Sequence, residues 1–307
     1  ATDGGGNVWA AIYDSDSCLV RISKSDTTYY TTAETGIAGK SLAEISSIKS
    51  LATDSRRRLW VGTVFGIYMF DGQSWKHYDH NNTPLKSDYV LEVCTDHKDR
   101  LWCSVPDHGL YMYDGSVWRE WNKANSTLAT NLIRGLTVDS KNRIWFCCSD
   151  DSEYSLIGPE SGAGLFCIGD SYFRHWDTKN SPLPSNTILD IAIDGDDRLW
   201  LATFGEVGLT SFDGVDDWHI YTTKNSGLAH NDVISLAVDS YRDRLWISQY
   251  WSEGLTSARI NTRTSGIKAP EDTRQVSDGI FDLQGRRLSG TPGKGLYISG
   301  GRKLLRR

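Results

Sequence analysis

Six tryptophans constrain this chain more than any other feature. Trp9, Trp60, Trp102, Trp145, Trp200 and Trp246 hold one equivalent position, at separations of 51, 42, 43, 55 and 46 residues. Around them a single phrase recurs. "VDSKNRIWFCC" (138–148) has sisters in "TDSRRRLWVGT", "TDHKDRLWCSV", "IDGDDRLWLAT" and "VDSYRDRLWISQ". A self-similar period of about 40–50 residues is the signature of a propeller or a solenoid.

Each full copy divides into four strand-like pieces. An alternating or apolar run such as "VISLAVD" (233–239) is followed by a polar turn and a piece like "RLWIS". A third piece begins at a Gly and ends at an Asp-Gly turn, as in "GIYMFDG", "GLYMYDG" and "GLTSFDG". The fourth is aromatic and polar: "WKHY", "WREW", "FRHW", "WHIY". Linkers such as "NNTPLKSD" and "NSPLPSN" then lead to the next copy. No stretch carries sustained helical periodicity, and short runs bounded by Gly, Asp and Asn read as strands. Four antiparallel strands per unit describe a propeller blade. The sequence therefore predicts an all-β chain, a β-propeller of six four-stranded blades. The first and last are incomplete, because the chain opens on "ATD" and no Trp-x-x-Tyr strand follows "GLTSARI". A segment upstream of Ala1 is expected to complete both.

The repeated residues have physical jobs. Asp54, Asp96, Asp139, Asp194 and Asp239 end the first strand, where a carboxylate can accept the N–H groups of the turn. Each Trp is a large plate between neighbouring blades whose indole N–H needs an acceptor. The Gly before the third strand permits φ > 0. Six cysteines invite a disulfide reading, but the repeat places Cys94 where other copies have Ala52, Thr137, Ala192 and Ala237. It places Cys103 opposite Val61, Phe146, Leu201 and Ile247, and Cys167 opposite Met69 and Met112. These are core positions, which a free thiol fills well. Cys147 and Cys148 are adjacent on a strand and so point to opposite faces. No zinc-type spacing appears.

"NSGLAHNDVISLAVDSYRDRLWIS" and its sister copies resemble the two-component regulator propeller repeat, over residues 1–260. That family is abundant in the periplasmic sensor halves of hybrid histidine kinases and in secreted proteins of Bacteroidota. Residues 261–278 read as a polar linker. Residues 279–307 alternate apolar positions around Gly-rich turns and predict a small β unit, too short for a large core. Their "DLQGRRL", "KGLYI" and "GRKLL" resemble the C-terminal sorting tails of the type IX (Por) secretion system. The resemblance implies an extracytoplasmic protein: secreted, on the cell surface or periplasmic.

A net charge of −6 argues against nucleic acid as a partner. No apolar run approaches the ~18 residues of a membrane span. No phosphate loop, nucleophile elbow or His-Glu metal motif is present. His77, His175 and His219 fall near one repeat position, occupied by Glu120 in another copy, and read as structural. The variable loops between the second and third strands share one face of a propeller with the inter-blade linkers, and variable loops on a rigid scaffold are where binding concentrates. They carry Asp14 and Asp16, Asp107 and His108, Asp150, Asp151 and Glu153 in the long insertion 149–164, Glu206, and Glu253. Phe65, Tyr250 and Trp251 add aromatic surface near the channel mouth, and His230 lies in a linker of the same face. The turns of the opposite face lean basic. This pattern predicts a non-enzymatic propeller that binds a carbohydrate or a protein on an acidic, aromatic face. No cofactor is expected, although calcium would suit the acids. The alternatives are a propeller lyase or hydrolase with a site at the channel mouth, and the periplasmic sensor of a two-component system.

Overall fold

The computed structural model describes residues 1–12, 17–37, 48–149, 162–169, 173–239, 242–250 and 255–260, together with the backbone of four short strands between 280 and 306. The chain forms two compact units, Ala1–Ile267 and Lys268–Arg307. The first is the six-bladed β-propeller that the repeat predicts.

Four blades are complete, and each is a four-stranded antiparallel meander. Blade two runs Ile48–Thr53, Leu59–Thr63, Gly66–Phe70 and Trp75–Tyr78. Blade three runs Glu92–Thr95, Leu101–Val105, Gly109–Tyr113 and Trp118–Trp121. Blade four runs Ile133–Val138, Ile144–Ser149, Gly162–Ile168 and Phe173–Trp176, and blade five Ile188–Ile193, Leu199–Thr203, Leu209–Phe212 and Trp218–Tyr221. Blade one has three strands, Val8–Ala11, Ser17–Ile22 and Thr27–Thr31, with Thr2 bridging to Val8 as the stub of a first strand. Among the described residues, blade six has its first three strand positions, Val233–Asp239, Arg244–Gln249 and Leu255–Arg259. One turn of helix, Thr32–Thr35, follows blade one, held by a capping box between Thr31 and Glu34.

The core is divided among the blade interfaces. Five apolar clusters fill the five junctions from blades one–two to blades five–six. Each combines the Trp face of one blade with the facing strands of the next. The linker leucines Leu85, Leu128, Leu183 and Leu228 plug four of these junctions. The cysteines sit where the repeat puts them: Cys94 pairs across from Trp102, and Cys167 across from Trp145. All six are free thiols. Cys147 belongs to the junction of blades four and five, and Cys148 to that of blades three and four, so the neighbours do point apart.

The repeated Asp explains why the hairpin is copied so faithfully. Asp54 Oδ1 accepts the N–H groups of Arg56 and Arg58 at 3.0 and 2.9 Å. Its Oδ2 takes Arg58 Nε at 2.6 Å and the Trp60 indole N–H at 3.1 Å. Asp96 and Asp139 repeat the arrangement, and Asp194 takes the Trp200 indole at 2.9 Å. The guanidinium of Arg58, Arg100 or Arg143 lies 5.1–5.6 Å from the centroid of the same Trp. One carboxylate thus closes the turn, satisfies a buried indole and fixes an arginine on its face.

The Gly that opens the third strand is needed twice over. Gly66 has φ +103, and a Cβ there would run into the carbonyl oxygen of Tyr78. The close approach is what brings the fourth strand onto the blade.

The second unit is a small antiparallel sheet of Ile280–Phe281, Arg287–Leu288, Gly295–Ser299 and Arg302–Arg306.

Candidate functional sites on the loop face and inner strands

The loops between second and third strands do pack against the blade linkers. Gly66 N–H donates to Asp88 O, Gly164 N–H to Asn186 O and Gly208 N–H to Asn231 O. The Asn131 side-chain amide reaches Asp107 O at 2.9 Å. Of the predicted site residues, Phe65, Asp107, His108, Glu206 and Tyr250 are described. Asp150, Asp151, Glu153, Trp251 and Glu253 lie outside the described residues, as do Asp14 and Asp16.

The described members are spread over blades two, three, five and six. Phe65 belongs to blade two, half-buried, with its carbonyl 2.6 Å from His77 Nε2. Asp107 and His108 cap the blade three hairpin; Asp107 is exposed and adopts φ +65. Glu206 and Tyr250, on blades five and six, are tied together by a residue the sequence reading passed over. Asp232 is 8% exposed. Its Oδ1 accepts the N–H groups of Gly205 and Glu206 at 3.0 and 2.6 Å, and its carbonyl accepts Tyr250 N–H at 2.9 Å. Asp232 N–H donates to His230 Nδ1 at 3.0 Å, and the Gln249 amide donates to His230 O at 2.5 Å. Glu206, held at φ +62, and Tyr250 are both exposed above this buried hub, with the half-buried His230 beside them. The arrangement offers a carboxylate, an imidazole and a phenol ring on one preorganised surface.

The three histidines of the fourth strands are structural. His77 and His175 stack on Tyr68 and Phe166 at 4.2 Å, and each Nε2 lies 2.6 Å from a backbone carbonyl, of Phe65 and Ala163. His219 is one register step away: it pairs with Ser211 and lies 3.0 Å from Asp217, which also binds Arg198.

The opposite face is less basic than its sequence suggests. Arg58, Arg100 and Arg143 are neutralised by Asp54, Asp96 and Asp139 within their own turns. The remaining polarity there joins blades. Ser55 N–H and Oγ both donate to Asp99, at 2.9 Å each, and Ser140 makes the same pair of bonds to Asp197. Asp99 and Asp197 occupy the left-handed region at φ 57 and 62, which aims their side chains at the preceding blade.

Two further carboxylates went unread in the sequence. Four residues before each strand-one Asp stand Ser50, Glu92, Gly135, Asp190 and Ser235. In blades two, four, five and six this position lies at an irregularity in the pairing of the first and second strands. There the side chain reaches the neighbouring blade's backbone: Ser50 Oγ accepts Val93 N–H at 3.1 Å. Asp190 Oδ2 accepts Leu236 N–H and Ser235 Oγ–H, both at 2.8 Å. Burial raises the Asp190 carboxyl above the usual carboxylate range, opposed by these bonds. Glu92 is pushed up to about 7 by burial and by the Asp190 charge, against the pull of the Gly135 and Leu136 N–H groups and of Arg134. A polar residue in an otherwise apolar strand was the available signal. Among the described residues no three His, Cys, Asp or Glu side chains converge as metal ligands.

Residues 182–205, from the linker through the second strand of blade five, match the family model described as two component regulator propeller. That stretch contains Leu183, which plugs the junction of blades four and five, and the Asp194–Trp200 pair, whose indole faces blade six. No curated protein matches the chain. Solved structures share the fold at low identity. The extracellular domain of a hybrid two component system from B. thetaiotaomicron is 17% identical with a TM-score of 0.64, covering 92% of this chain and 35% of that one. PorZ, a surface component of the type-IX secretion system of Porphyromonas gingivalis, is 14% identical with a TM-score of 0.60, covering 96% and 43%. Virginiamycin B lyase from Staphylococcus aureus is 13% identical with a TM-score of 0.63, covering 99% and 91%. The chain thus spans less than half the length of the first two. An extracellular domain of a two component system, a surface component of a secretion system and a lyase on one scaffold leave function to the site. No helix among the described residues is long and apolar enough to cross a membrane.

Proposed function

We propose that this propeller is an extracytoplasmic binding module that engages a carbohydrate or a polar protein segment on its loop face. The observation that carries the reading is the hub at Asp232, which holds Glu206, His230 and Tyr250 together across blades five and six. A carboxylate beside an exposed aromatic ring suits a sugar, whose hydroxyls donate to the acid while its apolar face lies on the ring. The similarity to the extracellular domain of a two component system and to a bacterial surface component supports the compartment. So does the resemblance of residues 279–307 to a sorting tail. A second reading, the sensor part of a two-component system, is favoured by the family match at 182–205.

The test is thermal unfolding of the protein with a panel of oligosaccharides and with calcium. A ligand that binds only the native state raises the melting temperature. An oligosaccharide is expected to do so, and Tyr250→Ala and Glu206→Gln are each expected to abolish the shift. A shift that survives both variants would move the site away from this hub.

A further inference from the structure

The blades of a propeller surround a central channel, which their innermost strands line. Here those strands stand side by side from blade two to blade six. Near its loop-face end each falls out of step with its partner strand. In blades two, three, five and six, two consecutive residues take the place of one. Lys49 and Ser50 lie opposite Gly62, Leu91 and Glu92 opposite Ser104, Leu189 and Asp190 opposite Ala202, and Ile234 and Ser235 opposite Ser248. The pairing in blade four slips just after Arg134. Such a bulge re-aims a side chain out of the alternation of its strand. Lys49 is accordingly exposed, between half-buried Ile48 and Ser50.

These irregularities carry charges that alternate in sign around the ring: Lys49, Glu92, Arg134 and Asp190, on blades two to five. In a ring of six, blades two and five are opposite, so Lys49 and Asp190 stand across the axis from one another. The Lys49 ammonium lies 5.5 Å from the centroid of the Tyr89 ring, and no carboxylate among the described residues pairs with it. Asp190 Oδ2 is taken by Ser235 and Leu236, and its Oδ1 accepts Ile191 N–H at 2.8 Å. A carboxylate has about four acceptor sites, so capacity for a further donor remains. No cation among the described residues pairs with Asp190. Blade four has Gly135 where blades three and five have their acids, so that position brings no side chain between Glu92 and Asp190. Burial and the Asp190 charge raise the Glu92 carboxyl in spite of Arg134. Half-buried Leu91, Leu189 and Ile234 stand at the same level. The ring therefore offers cations, anions and aliphatic surface together.

We propose that the central channel binds a small zwitterion with an aliphatic side chain, of the class of a free amino acid, its carboxylate on Lys49 and its ammonium between Asp190 and Glu92. A metal ion would answer the acids and leave Lys49 unpaired, and an anion would do the reverse. A molecule carrying both charges answers both sides of the channel with charge-assisted hydrogen bonds. Its apolar side chain lies against the aliphatic residues, in the usual make-up of a small-molecule site: apolar lining with a few placed polar groups. None of these residues belongs to the hub at Asp232, so the two sites are tested separately.

The test is equilibrium dialysis of the 307-residue protein against L-leucine and against two relatives that each lack one charge. 4-Methylpentanoate keeps the carboxylate, and 3-methylbutylamine keeps the ammonium. Leucine is expected to half-saturate between about 1 µM and 1 mM, and each relative to bind at least ~10-fold more weakly. Glycine, without the aliphatic side chain, is expected to bind more weakly than leucine. Lys49→Gln alters an exposed side chain and so keeps the fold. It is expected to weaken leucine at least ~10-fold and to leave the amine unchanged. Asp190→Asn is expected to weaken both, whereas Glu206→Gln and Tyr250→Ala leave leucine binding as it is. Four results overturn the proposal. One is no saturable leucine binding by about 10 mM. Another is equal binding of leucine and the amine. A third is unchanged leucine binding by Lys49→Gln. The fourth is calcium binding that Asp190→Asn abolishes and leucine does not displace, which assigns the acids to a metal ion.

Discussion

Blades four and six are built from the same repeat and end in different surroundings. In blade four the Trp145 plate is fully buried between Trp176 and Phe212 of the next blade, and its indole N–H is held by Asp139 at 2.9 Å. In blade six the equivalent Trp246 stays partly open to solvent, and the neighbouring Leu255 more so. Among the described residues, six of the nine large exposed hydrophobic ones, Val8, Ile22, Tyr29, Trp246, Tyr250 and Leu255, lie on the first and last blades. A blade's sequence therefore sets its internal pairing, whereas burial of its faces depends on the neighbour. In quasi-one-dimensional repeat proteins stability is a sum of unit and interface terms, so the terminal units are the weak ones.

The largest expected effect follows directly. Trp145→Ala opens a cavity between two blades and should cost about 3–5 kcal/mol, whereas Trp246→Ala should cost less than about 1 kcal/mol. Denaturant unfolding of the two variants measures the gap, and equal losses would break the contrast. Next comes the turn carboxylate. Asp139→Asn leaves the Arg143 guanidinium without its counter-charge and should cost about 2–3 kcal/mol, read in the same experiment.

Glu92 sharpens the comparison through pH. Its carboxyl is raised in the folded protein, to about 7 from 4.5. Between pH 4.5 and 7 the native state therefore binds more protons than the unfolded chain, and stability falls as pH rises through that window. Glu92→Gln removes this slope. The variant should be more stable than the parent at pH 7.5, by about 2 kcal/mol once solvent screening is allowed for, with the advantage shrinking toward pH 4.5. Melting temperatures at both pH values check the sign, and an advantage that grows on acidification would contradict it. The smallest effect belongs to the hooks between turns. Asp99→Ala loses two bonds from Ser55 in exchange for none and should cost about 1 kcal/mol.

The site was less legible than the fold. Glu206 and Tyr250 could be placed on one face from loop length and composition. Asp232, which joins them, stands at a linker position held by Tyr89, Leu132 and Thr187 in the other blades, and nothing in the repeat marks it as a hub. Phe65 and Asp107 were grouped with them because they share that face, but they stand on other blades. Glu92 and Asp190 are 98 residues apart in the chain, and their electrostatic coupling exists only where the inner strands of blades three, four and five stand side by side.

By itself the sequence determined the repeat, the four strands of each blade, the positions of the core cysteines and the carboxylate that closes each turn. All of these are local, set by alternation, turn chemistry and one carboxylate within six residues of its indole. The tertiary structure alone decided which faces are covered, which carboxylates are driven toward neutrality and which loops meet. The physical reason is that desolvation and Coulomb coupling depend on what the next blade brings into contact, and a repeat looks the same whether or not a neighbour covers it.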